Sequence, residues 1–430
     1  MVIWLILAAG LAAAAVTGMP IGVALALTGI AILEFIAGGA ETLTVSAVWN
    51  VFTAFEISSI PLFMFMGDVM TESGLSRQLY QGMAPLFQRF PGKLLHTNIV
   101  VCSLFGSVAG TSTSTAAAVG SVAYPELRRL GYDRKEVVAS LAGAGTLGLL
   151  IPPSLSLVLY GATQNVSIGK LFLAGTVPGF LIAFFFMIYI YALCAARPGI
   201  TPPGYSWPTL RQVAKGVWEM WSLVVLLFAC MGTVFMGWAT ATEAAGLGVV
   251  TAIAIGFLFG DLTLALTWRA FLSSTVMFGA VGLVMLGALV LSQAISILGL
   301  PQQVMESILA LNLSKYWVLL LVVVIYLILG CFFDGVSMML MTLPIVFPVM
   351  TSLGFDAVWL GVIITILVEV GMLTPPVGMN LFVLSAITRN EVSLGEAASA
   401  SVPYWLILLG SVGLLTVFPD IALALTWIMK

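Results

Sequence analysis

Residues 106–153 read GSVAGTSTSTAAAVGSVAYPELRRLGYDRKEVVASLAGAGTLGLLIPP, and this stretch decides how the rest of the chain is interpreted. It is apolar enough to lie in a membrane, yet it contains a patch of glycine, serine and threonine at Gly110–Thr115. It ends at Pro152-Pro153, where a regular helix is interrupted because proline lacks the backbone N–H and clashes with the preceding turn. The small polar patch and the proline pair both interrupt regular helix. They predict a re-entrant hairpin and a broken helix rather than two simple spans.

A second copy of these motifs lies downstream. YPELRRLGYD at 124–133 is echoed by FPVMTSLGFD at 347–356, and GLLIPP at 148–153 is echoed by GMLTPP at 371–376. Both copies are displaced by 223 positions (347 − 124 and 371 − 148). One constant shift across two separated motifs indicates a duplicated unit, so we interpret the chain as two repeats.

The composition places the chain in a membrane. Its residues are 61% hydrophobic and 8% charged, with a mean hydropathy of +1.15, whereas a soluble domain has about 25% charged residues. Apolar segments follow one another, many approaching the roughly 20 residues that a spanning helix needs. We predict an all-α polytopic membrane protein in contact with the lipid bilayer. The net charge of −3 gives no indication of nucleic-acid binding.

Several kinds of site are not indicated by the sequence. The four cysteines lie in or beside apolar segments without paired spacing, so we interpret them as small core residues. His96 is the single histidine, which argues against a histidine-based metal site. The chain has no Walker, G-x-S-x-G or H-E-x-x-H motif. We therefore expect neither an enzyme nor a cofactor other than a coupling ion.

The order of apolar and polar stretches predicts five regions. We expect the hairpin turns at Gly110–Thr115 and Asp334–Ser337, a first helix at Val2–Val16, and a break near Ser58–Pro61. The regions are N-terminal scaffold helices with an interfacial arm (1–93), a first transport repeat (94–196) with a hairpin at 94–127 and a broken span at 137–163, a cytoplasmic linker (197–217), second scaffold helices with an arm (218–316), and a second transport repeat with a C-terminal helix (317–430), its hairpin at 317–350 and its broken span at 357–387.

Charge asymmetry between matched turns predicts opposite orientations. Glu126–Glu136 contains four basic residues, whereas Thr351–Asp356 contains none. By the positive-inside rule the first turn faces the cytoplasm and the second faces the periplasm. Each repeat is expected to contain a re-entrant helical hairpin and a broken transmembrane helix. Two copies in opposite orientations form an inverted-topology repeat, the elevator-type, ion-transporter-like fold that builds a binding site at the membrane midplane.

The chemistry of the two turns leaves alternatives open. The Gly110–Thr115 patch supplies oxygens that could replace the hydration shell of Na⁺, or its small residues only allow close helix packing. Asp334 stands opposite Thr111 by the 223-residue shift. Its carboxylate, costly at membrane depth, either ligates a cation or holds the turn by a bond to the backbone.

Four stretches carry a family resemblance: AGTSTSTAAAVGSVAYPELRRLGYD, GLLIPPSLSLVLYGA, ATATEAAGLGVV and MLTPPVGMNLFVLS. Together they resemble the large membrane subunit of tripartite ATP-independent periplasmic (TRAP) transporters over essentially the whole chain. The resemblance implies Na⁺-driven import of an organic acid, of the C4-dicarboxylate or sialic acid type, by an elevator mechanism in the bacterial inner membrane. It also implies two partners, a separate small four-helix membrane subunit and a soluble periplasmic substrate-binding protein.

The resemblance also places the site. By it, the Na⁺ sites fall on the hairpin turns and broken spans, at Ser107, Gly110, Thr111, Ser112, Thr113, Ser114, Thr146, Gly148, Asp334, Ser337, Glu369, Gly371, Thr374 and Gly378. We expect substrate contacts nearby, at Ser154, Thr113, Asn380, Pro153 and Pro376. Two other classes stay open. They are a channel with re-entrant loops, and an intramembrane enzyme or a membrane subunit that does not itself transport.

Overall fold

All regular secondary structure in the described residues is helical. The computed structural model describes residues 9–10, 17–39, 41–203, 209–376, 378–389 and 391–428. The helices up to residue 203 are α1 (Ile21–Phe35), α2 (Glu41–Phe52), α3 (Ser59–Glu72), α4 (Leu75–Phe87), α5 (Leu94–Ala109), α6 (Ser112–Arg129), α7 (Arg134–Leu150), α8 (Leu155–Gln164) and α9 (Ile168–Ala196). The longer helices that follow are α10 (Leu210–Glu219), α11 (Trp221–Leu227), α12 (Ala241–Phe259), α13 (Leu264–Ile297), α14 (Leu300–Ala310), α15 (Lys315–Gly330), α16 (Gly335–Ser352), α17 (Ala357–Leu373), α18 (Met379–Ile387) and α19 (Leu394–Val417).

The lengths of these helices fit a membrane. In the described ranges, seven helices are long and apolar enough to cross it, or eight if the bent pair Thr44–Phe52 and Phe55–Glu72 forms one span. The first limbs of both hairpins, α5 and α15, belong to a shorter class of apolar helices. The predicted all-α polytopic membrane fold is confirmed.

The first hairpin consists of α5 and α6, which enter and leave at the same end of the molecule. The chain reverses at Gly110 and Thr111, where Gly110 has φ +68°, a left-handed conformation that glycine adopts without strain. At the open end, the N–H of Leu94 donates to the Tyr132 hydroxyl at 3.4 Å. The turn is shorter than the predicted Gly110–Thr115, because the Thr111 side chain caps α6 and the residues after it are already helical.

The second hairpin, α15 and α16, is built in the same way. The Lys315 ammonium at the start of α15 lies 5.2 Å from the centroid of the Phe355 ring, just beyond α16, so the two limbs share one end. The turn covers Cys331–Asp334 rather than the predicted Asp334–Ser337. The reason is again a cap, since the Asp334 carboxylate accepts from the first turn of α16 and the helix begins directly after it.

A broken helix follows each hairpin. The first consists of α7 and α8 and the second of α17 and α18, with the Pro-Pro pairs at the breaks. Both pairs contain a cis peptide bond, Pro152-Pro153 and Pro375-Pro376. Asp133 and Asp356, which the 223-residue shift pairs, cap α7 and α17 by accepting two backbone N–H bonds each, at 2.8–3.1 Å. The two repeats therefore share their local geometry as well as their sequence motifs.

Contacts between the repeats show that one is inverted relative to the other. Tyr160, near the end of α8, donates its hydroxyl to the carbonyl of Ala357, the first residue of α17, at 2.7 Å. At the other end of the molecule, Glu391, just after α18, forms salt bridges with Arg128 at 2.7 Å and Arg134 at 3.7 Å. Each broken helix thus begins where the other ends, which is the inverted topology that the charge asymmetry predicts.

A second group of helices surrounds the long helix α13. Gly22 of α1 packs so tightly on it that a Cβ there would lie 2.3 Å from the carbonyl oxygen of Leu283. Helix α3 packs against α12 and α13 and also contacts the first hairpin, where a Cβ on Gly67 would lie 2.9 Å from the Cα of Ala109. Helix bounds and contacts do not test the division into five regions, which stays a prediction.

The N-terminal part differs from two of the predictions. The helix predicted at Val2–Val16 lies almost entirely outside the described residues. The break predicted near Ser58–Pro61 lies earlier, because Thr44–Phe52 and Phe55–Glu72 meet at a 53° bend. Pro61 itself lies in the first turn of α3, where backbone N–H groups have no helical acceptor, so a proline costs little there.

Candidate substrate and ion site

The tips of both hairpins line one cavity of ≈ 410 Å³. Its polar wall comes from the two tips, which contribute Thr111, Ser112, Thr113, Asp334 and Ser337. The rest of the wall comes from the ends of α7 and α17, the starts of α8 and α18, and α13. The cavity therefore brings together both repeats at the points where their hairpins turn and their helices break.

The tip of the first hairpin presents the N-terminus of α6 to the cavity. Thr111 accepts the Ser114 N–H at its side chain (3.3 Å), and its carbonyl accepts the Thr115 hydroxyl (2.7 Å) and N–H (3.2 Å). The N–H groups of Ser112 and Thr113 belong to the first helical turn and have no acceptor within the helix. This end of α6 offers backbone donors and a partial positive charge to an anion.

The tip of the second hairpin repeats this cap with a charged residue. Asp334 accepts the N–H of Ser337 at 3.1 Å and also the Ser337 hydroxyl. Its partner by the 223-residue shift, Thr111, accepts from Ser114, the shifted partner of Ser337. Asp334 thus holds its own turn. These two hydrogen bonds occupy some of the lone pairs of the carboxylate oxygens, and the remaining lone pairs can bind a ligand.

A hydrogen bond joins the first tip to the second repeat. The hydroxyl of Ser112 lies 2.7 Å and 2.8 Å from the two carboxyl oxygens of Glu369 on α17, and both side chains are fully buried. The same tip is held to the first break, where the Leu155 N–H donates to the Gly110 carbonyl at 3.2 Å. The first tip is therefore fixed from two sides.

Other predicted ion residues lie beside the cavity rather than in its wall. Ser107, Thr146 and Thr374 donate their hydroxyls to carbonyls of their own helices, at 2.6–2.7 Å. The backbone N–H of Ser114 donates the capping hydrogen bond to the Thr111 side chain. These hydroxyls close helix turns, and each oxygen still has lone pairs to offer.

The predicted glycines allow close approach of the hairpins to the broken helices. A Cβ on Gly148 would lie 3.2 Å from the Cα of Gly106. In the second repeat, a Cβ on Gly371 would lie 2.9 Å from the Cα of Gly330. Gly378 has φ +46° at the start of α18, a conformation that side chains rarely adopt. These positions shape the site through backbone packing.

Of the predicted substrate residues, Thr113 lines the cavity and four others do not. Ser154 is buried, donates to the Leu149 carbonyl and caps α8. Asn380 is fully buried, donates to the Ala142 carbonyl at 3.4 Å, and its carbonyl oxygen has no hydrogen-bond partner. Pro153 is buried and Pro376 is exposed. All four flank the breaks but lie outside the described wall of the cavity, which sequence spacing alone does not reveal.

Sequence reasoning missed the apolar wall of the cavity. It is formed by Met277, Ala280, Val281 and Val284 of α13, with Met372 and Met379 beside the second break. The few polar side chains of helix α13, such as Arg269 and Gln293, form no continuous polar stripe, so its sequence does not distinguish a cavity face from a lipid face. No signal available in one sequence would have selected these residues.

The charge of the cavity is unbalanced. Along the described part of its wall, Asp334 is the charged side chain, and no lysine or arginine is present. No group of three or more His, Cys, Asp or Glu side chains that could hold a metal ion occurs in the described ranges. The available donors are hydroxyl, carbonyl and carboxylate oxygens, the ligand type that hard cations take.

Comparisons with known proteins agree with this geometry. The family model described as tripartite ATP-independent periplasmic transporter, DctM component, matches residues 8–421. A C4-dicarboxylate TRAP transporter large permease protein DctM of Pseudomonas aeruginosa is 33% identical over 375 residues, 86% of each chain. An ectoine/5-hydroxyectoine TRAP transporter large permease protein UehC of Ruegeria pomeroyi is 32% identical over 371 residues, 85% of each chain. The solved YdaH transporter of Alcanivorax borkumensis has a similar fold, with a TM-score of 0.64 and 17% identity over 90% of both chains.

Proposed function

Because this chain belongs to the family of the tripartite ATP-independent periplasmic transporter DctM component, multi-pass permeases of the bacterial inner membrane, we propose that it imports a small organic acid together with Na⁺. The observation that carries the proposal is the cavity between two inverted hairpin tips, which supply its polar groups. Secondary transporters hold a substrate at the membrane midplane in such an arrangement. A member of this family is a permease and not an enzyme.

The charge of the cavity supports a coupling cation. An organic anion placed beside Asp334 meets like-charge repulsion, which is strong at low dielectric, and the described wall has no lysine or arginine to offset it. A cation at the tips stabilises both negative groups at once. We place one ion at Asp334 and Ser337 in the second tip and a second, more weakly bound ion at the oxygens of Thr111 and Thr113 in the first.

The two helix N-termini support an anionic substrate. Helices α6 and α16 both begin at the cavity, and each presents backbone N–H groups and the positive end of its dipole. The first is capped by a neutral hydroxyl and the second by a carboxylate. The first tip is therefore the better position for an acid group, and the second is the better position for a cation.

The apolar wall supports an elevator motion. The polar groups of the cavity lie on the hairpins, whereas α13 contributes Met277, Ala280, Val281 and Val284. None of these side chains forms a hydrogen bond with the tips that would have to break when the hairpins slide past α13. We propose that the repeats move together with the substrate while α13 and the helices packed on it stay in place.

We propose the same two partners that the motif resemblance implies. The family is described as tripartite, and the relatives compared above carry the name of large permease proteins. A separate small membrane subunit would pack against the scaffold helices, and a periplasmic binding protein would deliver the substrate. The relatives are named for different substrates, C4-dicarboxylates and ectoines, although their large permeases are similar to this chain. We therefore propose that the binding protein selects the acid.

The test is uptake into proteoliposomes that contain this chain, its small subunit and its binding protein. Radiolabelled succinate and N-acetylneuraminate serve as probes under an inward Na⁺ gradient. We expect saturable uptake of one of them, which is lost when K⁺ replaces Na⁺ or when the small subunit is omitted. Flux that rises linearly with concentration and ignores Na⁺ would indicate a channel instead. Failure of the complete complex to take up either probe contradicts the organic-acid assignment.

A further inference from the structure

The hydrogen bond between Ser112 and Glu369 crosses the boundary between the repeats. The two residues are 257 positions apart, and the serine hydroxyl lies within 2.8 Å of both carboxyl oxygens. Both side chains are excluded from solvent. A buried carboxyl group is costly unless it is hydrogen-bonded, so this contact stabilises the side chain of Glu369 where it stands.

The surroundings of Glu369 separate it from the cavity. Ser112 lines the cavity, whereas Glu369 does not. None of the salt bridges between described residues includes Glu369. On the same helix, Thr365 is satisfied by the Gly361 carbonyl at 2.9 Å, and Val368 packs against Gly335 of the second tip. Glu369 therefore contacts the wall of the cavity through the Ser112 hydroxyl and the backbone of Leu149 at the end of α7.

The second repeat has no equivalent bond. Shifted by 223 positions, Ser112 corresponds to Gly335, which has no side chain, and Glu369 corresponds to Thr146. Thr146 donates its hydroxyl to Gly143 of its own helix at 2.6 Å. The second tip is thus capped by its own Asp334, whereas the first is also tied to the opposite repeat.

We propose that Glu369 is a positioning residue, which through Ser112 fixes the first hairpin tip as the rigid wall of the cavity. This role goes beyond the proposed transport function and rests on it only for its effect on substrate affinity. Glu369 contacts neither ion nor substrate. It holds the Ser112 and Thr113 N–H groups in the place where an acid group binds, and the second tip lacks such a bond to the opposite repeat.

The first test is hydrogen exchange in the purified full-length chain in Na⁺ medium, which needs no substrate. Variants Ser112→Ala and Glu369→Leu are each expected to speed exchange of peptides covering 108–116 by about tenfold, the effect of losing one hydrogen bond of this kind. The double variant should be no faster than either single variant. Glu369→Gln should stay near wild type, because its amide oxygen still accepts the Ser112 hydroxyl.

Thr365→Val is the matched control, since it removes a buried hydroxyl one turn earlier on α17 without touching the tip. It should leave exchange at 108–116 unchanged. If Glu369→Leu does not fold, Ser112→Ala tests the same bond. Unchanged exchange in Ser112→Ala, or exchange in Glu369→Gln as fast as in Ser112→Ala, overturns the proposal.

Transport gives the second readout. In proteoliposomes, Ser112→Ala and Glu369→Leu should raise the half-saturating concentration of whichever probe is transported, with little change in the half-saturating Na⁺ concentration. If Glu369→Gln shifts the Na⁺ dependence while Ser112→Ala does not, Glu369 is an ion ligand and the positioning role is wrong. Absence of uptake by the wild-type complex contradicts the proposed function instead, and the exchange result stands independently of it.

Discussion

At the scale of the residue, the structure shows one of the two roles that the sequence left open for Asp334, the structural one. It caps α16 through the Ser337 N–H, as Thr111 caps α6 through the Ser114 N–H. The structural role is therefore present in both repeats, but only the second repeat places a charge there. That difference is what a specific cation site requires, because a carboxylate attracts a cation more strongly than a hydroxyl does at low dielectric.

The corresponding prediction compares Asp334→Asn with Thr111→Ala. Asparagine keeps the cap bond and removes the charge, so we expect Asp334→Asn to raise the half-saturating Na⁺ concentration by about tenfold, or about 1.4 kcal/mol. Thr111→Ala should cost about 1 kcal/mol of stability through loss of the cap and should shift the Na⁺ curve less. Uptake measured against Na⁺ concentration distinguishes an ion-binding role of Asp334 from a purely structural one. An Asn variant with a wild-type curve and a normal maximal rate would leave Asp334 as a turn residue.

At the scale of the element, the hairpins pack on the broken helices through paired glycines. In the first repeat Gly106 faces Gly148, and in the second Gly330 faces Gly371. Backbone-to-backbone contact of this kind is how helices pack closely inside a membrane, where burial of apolar surface contributes no driving force. These four glycines lie outside the Gly110–Thr115 patch, so their packing does not test the interpretation of that patch as a packing surface.

This packing predicts a large effect of one methyl group. A Cβ on Gly330 would lie 2.4 Å from the Cα of Gly371, whereas a Cβ on Gly413 of α19 would meet nothing within 4 Å. We expect Gly330→Ala to destabilise the fold by about 1–3 kcal/mol through overpacking. Gly413→Ala should be neutral or stabilising by up to about 1 kcal/mol, since alanine is the better helix former. Thermal unfolding in detergent measures both, and equal midpoints would contradict the tight contact.

At the scale of the whole molecule, the inverted repeats produce one charged end. Arg128 and Arg134 of the first repeat meet Glu391 of the second, and Lys135 meets Glu396 at 2.9 Å. These pairs are half-exposed, so each contributes little to stability. By the positive-inside rule, the same basic residues predict that this end of the molecule faces the cytoplasm. The matched turn at the other end, Thr351–Asp356, has no such residue.

The resulting prediction concerns sidedness. In a background without the four native cysteines, we place single cysteines at Arg129 and Ser352, both exposed. A membrane-impermeant thiol reagent added to whole cells with a permeable outer membrane should label Ser352→Cys and not Arg129→Cys. After the inner membrane is opened, both should react, which controls for accessibility. Labelling of both positions from outside would contradict the inverted orientation.

The sequence by itself determined the membrane class, the two repeats, their breaks and their matched caps. These features follow from the length of apolar runs, from proline, and from side chains that bond to their own turn, all of which act within a few residues. The turn lengths were overestimated because a cap begins its helix at once, as Thr111 and Asp334 do.

Only the tertiary structure decided which of those residues face the cavity. Three features depend on how helices far apart in the chain pack. They are the bond of Ser112 to Glu369, the bond of Asn380 to the Ala142 carbonyl, and the wall formed by α13. A helix without a continuous polar stripe has nothing in its sequence to mark the face that meets a substrate. Which face of such a helix lines the cavity depends on the helices that pack against it. Those neighbours are determined by the arrangement of the two inverted repeats.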